Sequence, residues 1–301
     1  MKIVSVIICT YNSDKTIKET LKSIFNQNGV DELFKLEVIV IDDASTDNTI
    51  NILSEFPIRL IQNKLNSGGP NKGRNIGLEV ANGEYICITD HDDIWMKNKI
   101  QIQLEATSLA PIVSGGFKVQ NIKNNKTTIR GGQIEKTTVF DTNKTFKQLL
   151  SKDYSGQTVY LSGLLFHKDF KWNRFEERFG FLDFDWGVRL FENNRSVEVQ
   201  ELLFTRIIDG QNLSLNENYR IKDYEEGLNI LKTYEKKYPK ETKMGINKIH
   251  GTLARYYYFV GNLEKARVFF KLAGFNLKNG LFYLTTFFGH KIVRKYFHFF
   301  V

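Results

Sequence analysis

The chain has 301 residues, with 42 basic and 34 acidic side chains and a formal net charge of +8. Hydrophobic residues make up 42% and charged residues 25%, the range of an ordinary globular protein, which excludes disorder, a collagen-like repeat and a disulfide scaffold. Four prolines leave no room for a long proline-rich linker, and the length suits one large domain or two small ones.

The first hundred residues alternate strand and helix signals. Lys2 to Cys9 is a β-branched run continuous enough to be buried on both faces. Ser13 or Asp14 then offers a cap for a helix carrying Ile17, Leu21, Ile24 and Phe25. Leu36 to Ile41 reads as a second buried strand closed by Asp42-Asp43, and Thr46-Asp47 as the cap of a helix bearing Ile50, Leu53 and Phe56. A short strand over 58–62, a helix over 71–80 and a strand over 84–89 follow. This order predicts an α/β fold, a mostly parallel sheet flanked by helices. In such sheets ligands collect at the carboxyl ends of the strands, which singles out Thr10-Tyr11-Asn12, Asp42-Asp43 and Asp90-His91-Asp92-Asp93.

Lys118 to Phe140 is polar and reads as a hairpin or a mobile loop. Beyond about residue 222, Tyr224, Leu228, Leu231 and Tyr234 form a helical stripe. Helices over 249–260 and 263–273 then flank a Gly261-Asn262 turn, in the manner of one tetratricopeptide-type hairpin. One such unit cannot bury its apolar face alone, so it is expected to cap the preceding domain. The predicted division is 1–220 and 221–301.

Cys9 and Cys87 lie in β-branched runs without metal-ligand spacing, as small buried hydrophobes do in a reducing compartment. No charged leader with a cleavage site and no apolar window of spanning length is present, so a cytoplasmic location is expected.

Strand-end aspartates often cap turns, and Asp42, Asp47 and Asp93 each admit that reading. It explains poorly why several strand ends on one rim carry acids. Clustered carboxylates repel, and oxygen-only ligands favour a hard ion, Mg²⁺ or Mn²⁺, typically shared with a diphosphate.

Four stretches in order then carry a resemblance. They are Val4 to Asn12, Val38 to Asp47, Asn66-Ser67-Gly68-Gly69-Pro70 with Gly73-Arg74-Asn75-Ile76-Gly77, and Tyr85 to Asp93. Together they resemble the family 2 inverting glycosyltransferases of the GT-A fold, of the bacterial surface-polysaccharide type. The resemblance implies that Thr10, Tyr11 and Asn12 line a nucleotide pocket, that Asp43 accepts from the base, and that Arg74 reaches the diphosphate. It implies an Asp-x-Asp motif with Asp90 near ribose and metal and Asp92 as direct metal ligand. Asp93 would support the turn, and His91 would have no catalytic role.

Phe181-Leu182-Asp183-Phe184-Asp185-Trp186 matches the family's acidic pair, with Leu182 where a glutamate usually stands. The resemblance makes Asp183 the catalytic base, with Asp185 as its rival. Trp186 would either stack on a sugar face or sit in the core. Arg206 to Ser214 resembles a loop closing over donor and acceptor, with Asp209 where many relatives carry histidine, and Ser162-Gly163 a turn flanking the sugar.

The implied reaction moves a sugar from a nucleotide-sugar, a UDP-hexose or UDP-N-acetylhexosamine, to a hydroxyl of a glycan or lipid-linked acceptor. A sugar-phosphate nucleotidyltransferase would need a glycine-rich loop after the first strand, and Thr10-Tyr11-Asn12-Ser13 has none. A non-catalytic helical adaptor leaves the acids unexplained. Residues 281–301 are aromatic and basic, suited either to packing on the core or to peripheral contact with the inner face of a membrane. No nucleic-acid reading module is present.

Overall fold

The computed structural model describes residues 1–132, 136–180, 182–209, 217–274 and 276–295. Its sheet is built outward from β1 (Lys2–Thr10). Parallel neighbours β2 (Phe34–Asp42) and β4 (Tyr85–Asp90) flank it, and β3 (Arg59–Gln62) lies beyond β2. The register aligns the strand ends: Thr10 pairs with Asp42, and Cys9 with Asp90. The acids at the ends of β2 and β4 therefore share one rim because the parallel register on either side of β1 ends both strands within one residue of the same level.

Among the described residues the sheet has ten strands, and its main path is β3-β2-β1-β4-β9-β6-β10-β5. The added strands are β5 (Asp93–Trp95), β6 (Ile112–Asn121), β9 (Leu165–His167) and β10 (Ser196–Ile208). β9 runs antiparallel to both β4 and β6, while β6 and β10 are parallel to each other. The polar middle forms a hairpin of β6 with β7 (Lys126–Arg130), and β8 (Thr138–Phe140) pairs with β10.

Helices cover both faces. Val4, Val6 and Ile8 join the core that holds Ile17, Leu21 and Ile24 of α1 (Ile17–Phe25). α2 (Thr49–Leu53) adds Ile52 and Leu53 to the same core. On the other face α3 (Pro70–Val80) lies so close that a Cβ at Gly77 would stand 2.3 Å from Ile7 Cγ2 and one at Gly73 2.8 Å from Cys9 Sγ. The two glycines of Gly73-Arg74-Asn75-Ile76-Gly77 are thus the price of seating this helix against the strands that carry the rim. Burial pushes the Cys9 thiol up to about 12, and Cys87 is also raised, which suits inert thiols. Neither Ser13 nor Asp14 caps α1; the carbonyl of Ser13 accepts from Thr16 and Ile17 instead. The further helices before residue 200 are, in chain order, α4 (Lys99–Ala106), α5 (Lys144–Leu150) and α6 (Phe184–Phe191).

The chain divides into two compact units, one of Met1–Phe146 and Tyr154–Asn212, the other of Lys147–Asp153 and Leu213–Val301. Residue 220 lies within α7 (Glu217–Tyr234). In the second unit α8 (Pro239–Val260) and α9 (Leu263–Leu272) form the expected hairpin. Gly261 closes α8 in the left-handed region at φ 91°, and Asn262 caps α9 by accepting from the Lys265 amide. Leu253, Tyr257, Tyr258 and Phe270 pack there with Phe282 of α10 (Leu277–Thr285). The aromatic, basic tail is not one helix: α11 (His290–Lys295) follows a break at Gly289, φ 76°. Residues 296–301 lie outside the described residues. Among the described residues no helix is long and apolar enough to cross a membrane.

Candidate active site

The end of β1 is organised by buried acids. Thr10 is buried, and its hydroxyl donates to Asp42 Oδ1 at 3.1 Å. Asp42 Oδ2 accepts from the Ser45 amide at 2.9 Å, so Asp42 serves the turn after β2. Asp47 does likewise, accepting from the amides of Thr49 and Asp14. Asn12, in the left-handed region at φ 49°, ties the two connections: its amide donates to Ser45 Oγ, and its Oδ1 accepts from the Thr46 amide. Tyr11, next along the chain, is 47% exposed. The Thr10 hydroxyl is thus committed to Asp42 at the end of β1. No glycine-rich loop follows β1.

Asp43 is buried and engages both carboxylate oxygens. Asn63 donates to Oδ1 at 2.7 Å, while the Ser67 amide and hydroxyl donate to Oδ2 at 2.8 and 2.9 Å. Asp43 thus orders the loop between β3 and α3, and Oδ1 keeps room for a second donor.

Asp90 closes β4. Arg74 Nη2 donates to Asp90 Oδ1 at 3.0 Å, and Nη1 donates to Asn71 Oδ1 at 3.0 Å. Arg74 is only 5% exposed, with its guanidinium 5.2 Å from the Phe175 ring centre. Burial opposes its charge, but Asp90 and Asp183 hold it above the usual arginine range. The Asp90 amide donates to Ser162 Oγ, and the His91 carbonyl accepts from Thr20. Burial pushes the Asp92 carboxyl up, and Asp90 adds to the push.

Asp93 departs from the expected turn support. It opens β5 opposite Arg206 of β10, is 1% exposed, and neither carboxylate oxygen has a hydrogen-bond partner. Burial, Asp90 and Asp92 push its carboxyl well above the usual range, opposed by Ser162 and Arg206. Arg206 also lies over Tyr160, 5.3 Å from its ring centre. Burial, with Asp93 and Asp90 adding, drives that phenol well above its ordinary range.

The helix α3 also clamps the segment that delivers Asp183. Asn71 donates to the carbonyls of Glu176 at 3.0 Å and Leu182 at 2.9 Å, and its amide donates to the Gly180 carbonyl. Asn75 donates to the Phe175 carbonyl and to Glu177 Oε1, and accepts from the Phe175 amide. A Cβ at Gly69 would lie 2.5 Å from the Gly180 backbone, so only glycine allows that approach. Asp183 is the exposed N-cap residue of α6, and its carbonyl accepts from the Gly187 amide. Leu182 is buried, which accounts for an apolar residue where a glutamate was expected.

Asp185 and Trp186 have other employment. Asp185 Oδ2 accepts from Arg189 Nε at 3.0 Å and Nη2 at 2.7 Å, a pairing four residues apart on α6. Trp186 corrects the stacking expectation: it is 2% exposed, lies parallel to Phe175 with ring centres 4.7 Å apart, and donates to the Asn173 carbonyl. No sugar can reach a face so covered. Asp209 ends the described part of its segment, and the expected closing loop over 210–214 lies outside the described residues.

Asn71, Asn75, Asn63, Ser67 and Tyr160 carry geometry that sequence reading assigned to none of them. Ser67 and Asn75 stood inside quoted motifs, and the other three did not. Among the described residues no three His, Cys, Asp or Glu side chains gather into a closed metal cage. The oxygen-only pair Asp90 and Asp92, whose mutual repulsion Arg74 offsets only at Asp90, instead fits a hard cation held jointly with a ligand's oxygens.

The chain matches the Glycosyl transferase family 2 profile over residues 5–170. It is 41% identical over 101 residues to the poly(ribitol-phosphate) beta-N-acetylglucosaminyltransferase TarS of Staphylococcus aureus, covering 32% of this chain and 17% of that protein. It is 40% identical over 103 residues to the dTDP-rhamnosyl transferase RfbG of Shigella flexneri, covering 31% and 34%. Each match thus spans a minor part of the relative. The crystal structure of Staphylococcus aureus TarS residues 1–349 superposes with a TM-score of 0.63 at 18% identity, covering 99% of this chain and 91% of that one. The same protein solved with UDP gives 0.61 at 17% identity, covering 98% and 91%. These superpositions show the shared GT-A fold. The profile spans more than half of the sequence and takes in the β1 end, the Asp43 turn, Arg74 and the Asp90–Asp93 rim, and the chain belongs to glycosyl transferase family 2.

Proposed function

We propose that the chain is an inverting hexosyltransferase of surface-polysaccharide synthesis, acting on the cytoplasmic side. It would move a hexose or N-acetylhexosamine from a UDP-sugar to a hydroxyl of a glycan or lipid-linked acceptor. Relatives named for N-acetylglucosaminyl, glucosyl and rhamnosyl transfer support the reaction class. TarS structures with UDP and UDP-GlcNAc support the donor class. Residues 1–220 would hold donor and chemistry, and the helices of 221–301 would form an accessory domain.

The observation that carries the reading is the position of Arg74. It is bonded to Asp90 and held in its charged form by Asp90 and Asp183 together, so the expected base and the Asp-x-Asp acids share one electrostatic site. Asp183 takes the proton from the acceptor hydroxyl as that oxygen bonds to the anomeric carbon. The bond from that carbon to the diphosphate oxygen breaks, and UDP departs with the electron pair. One displacement inverts the anomeric configuration. Asp185, neutralised by Arg189, is the poorer base. Tyr11 offers a ring for the base, and Asp43 its remaining acceptor site. Asp90 and Asp92 would hold Mg²⁺ or Mn²⁺ together with the diphosphate, where the cation supplies charge neutralisation for the leaving group.

Asp183→Asn tests the assignment. Transfer from a UDP-sugar should fall by at least about a thousandfold, while UDP affinity stays within about twofold of the wild type. Turnover near the wild-type value would make Asp183 the wrong base.

A further inference from the structure

We propose that α10 and α11 form a docking surface for an anionic lipid bilayer. On α10 the buried side chains are Asn279 and Phe282, continued by Thr286 just past its end. Phe282 is held by Tyr258, edge-on with ring centres 5.1 Å apart, and by Phe270, stacked at 6.2 Å. The opposite side, at helical spacing, presents Leu277, Leu281 and Leu284, and the stripe continues in Phe288 and Ile292. Leu277 is 75% exposed, Phe288 69% and Ile292 64%. Neither helix hides this stripe by folding back: the break at Gly289 turns the chain, and Ile292 remains in the open.

The charge around the stripe identifies its occupant. From Lys265 to Val301 the sequence has seven Lys and Arg residues and no Asp or Glu. Lys278 and Lys291 are exposed on the same two helices as the stripe. A second copy docked through this face would bring two cationic surfaces together with no acid to answer them. A bilayer containing anionic lipid accepts both features, taking the apolar side chains at the acyl boundary and the lysines among the headgroups. α10 fits the interfacial class because its length and composition exclude a spanning segment. This surface is independent of the transfer chemistry assigned above.

Co-sedimentation of the full chain with vesicles tests it. Vesicles of phosphatidylglycerol and phosphatidylcholine should retain the protein at least tenfold better than phosphatidylcholine alone, and raised salt should weaken the retention. Leu281→Glu combined with Phe288→Glu should abolish retention while UDP binding is unchanged. Lys278→Gln combined with Lys291→Gln, which leaves the apolar packing intact, should weaken retention on the anionic vesicles only. Equal retention of wild type and the Leu281→Glu, Phe288→Glu variant would overturn the proposal. So would a concentration-dependent dimer that this variant dissolves, since the face would then belong to a second copy.

Discussion

Asn71→Ala isolates the link between the helix after β3 and the base on α6. Asn71 is fully buried, and its side chain makes three bonds: two donated to the carbonyls of Glu176 and Leu182, and one accepted from Arg74. A neutral bond of this kind contributes about 0.5–1.5 kcal/mol net, and one to a charged group about 1.5–3 kcal/mol. The loss should therefore reach about 3–4 kcal/mol, borne mostly by the segment from Glu176 to Leu182. Leu182 immediately precedes Asp183, so the base loses its fixed approach to the rim. Misplacement by about an ångström costs roughly a hundredfold in turnover. Steady-state transfer should show kcat reduced on that scale, and the donor KM should rise as well, because Arg74, expected at the donor diphosphate, loses its bond to Asn71. A variant with wild-type kcat and only a lowered Tm would refute the idea that Asn71 positions the base.

Two further outcomes follow from packing and protonation. Gly77→Val would force a side chain into the space where a Cβ already stands 2.3 Å from Ile7 Cγ2; overpacking of about 3 kcal/mol should lower Tm by roughly 6–12 °C in a thermal melt, and an unchanged Tm would mean α3 can lift from the sheet freely. Burial holds His250 below the ordinary histidine value of 6.5, so the folded chain binds that proton less tightly than the unfolded chain. Its effect is absent well above pH 6.5 and turns destabilising as pH falls through that value; His250→Phe should flatten the fall in Tm between about pH 7.5 and 5, and an identical slope in both proteins would contradict this.

The rim was legible because the runs Val38–Ile41 and Tyr85–Thr89 stop at acids while Val4–Cys9 stops at Thr10, and parallel pairing sets those stops beside one another. Arg74 was legible as functional, but its direct partner Asp90 was not, since the pairing depends on how deeply α3 sits. That depth is written in Gly73 and Gly77, which in sequence read only as part of a motif. Asn71 and Asn75 act on a segment about a hundred residues away, and no periodicity or spacing reports such a contact. Trp186 had two readings because an aromatic residue at a helix start suits a sugar or a core, and only its stacking on Phe175 distinguishes them. Asp93 looked like its turn-supporting neighbours until β5 paired with β10 and buried it. The three-residue strand β9, which reverses direction inside the sheet, is too short to leave a pattern.

The central claim is that donor nucleotide and cation meet at the Asp90–Asp92 rim, and calorimetric titration tests it most directly. UDP should bind the wild-type chain more tightly with Mn²⁺ than without it, GDP and dTDP should bind more weakly, and Asp92→Ala should remove the Mn²⁺ dependence. UDP affinity that is indifferent to Mn²⁺ in the wild type, or a Mn²⁺ effect that survives Asp92→Ala, would contradict the account.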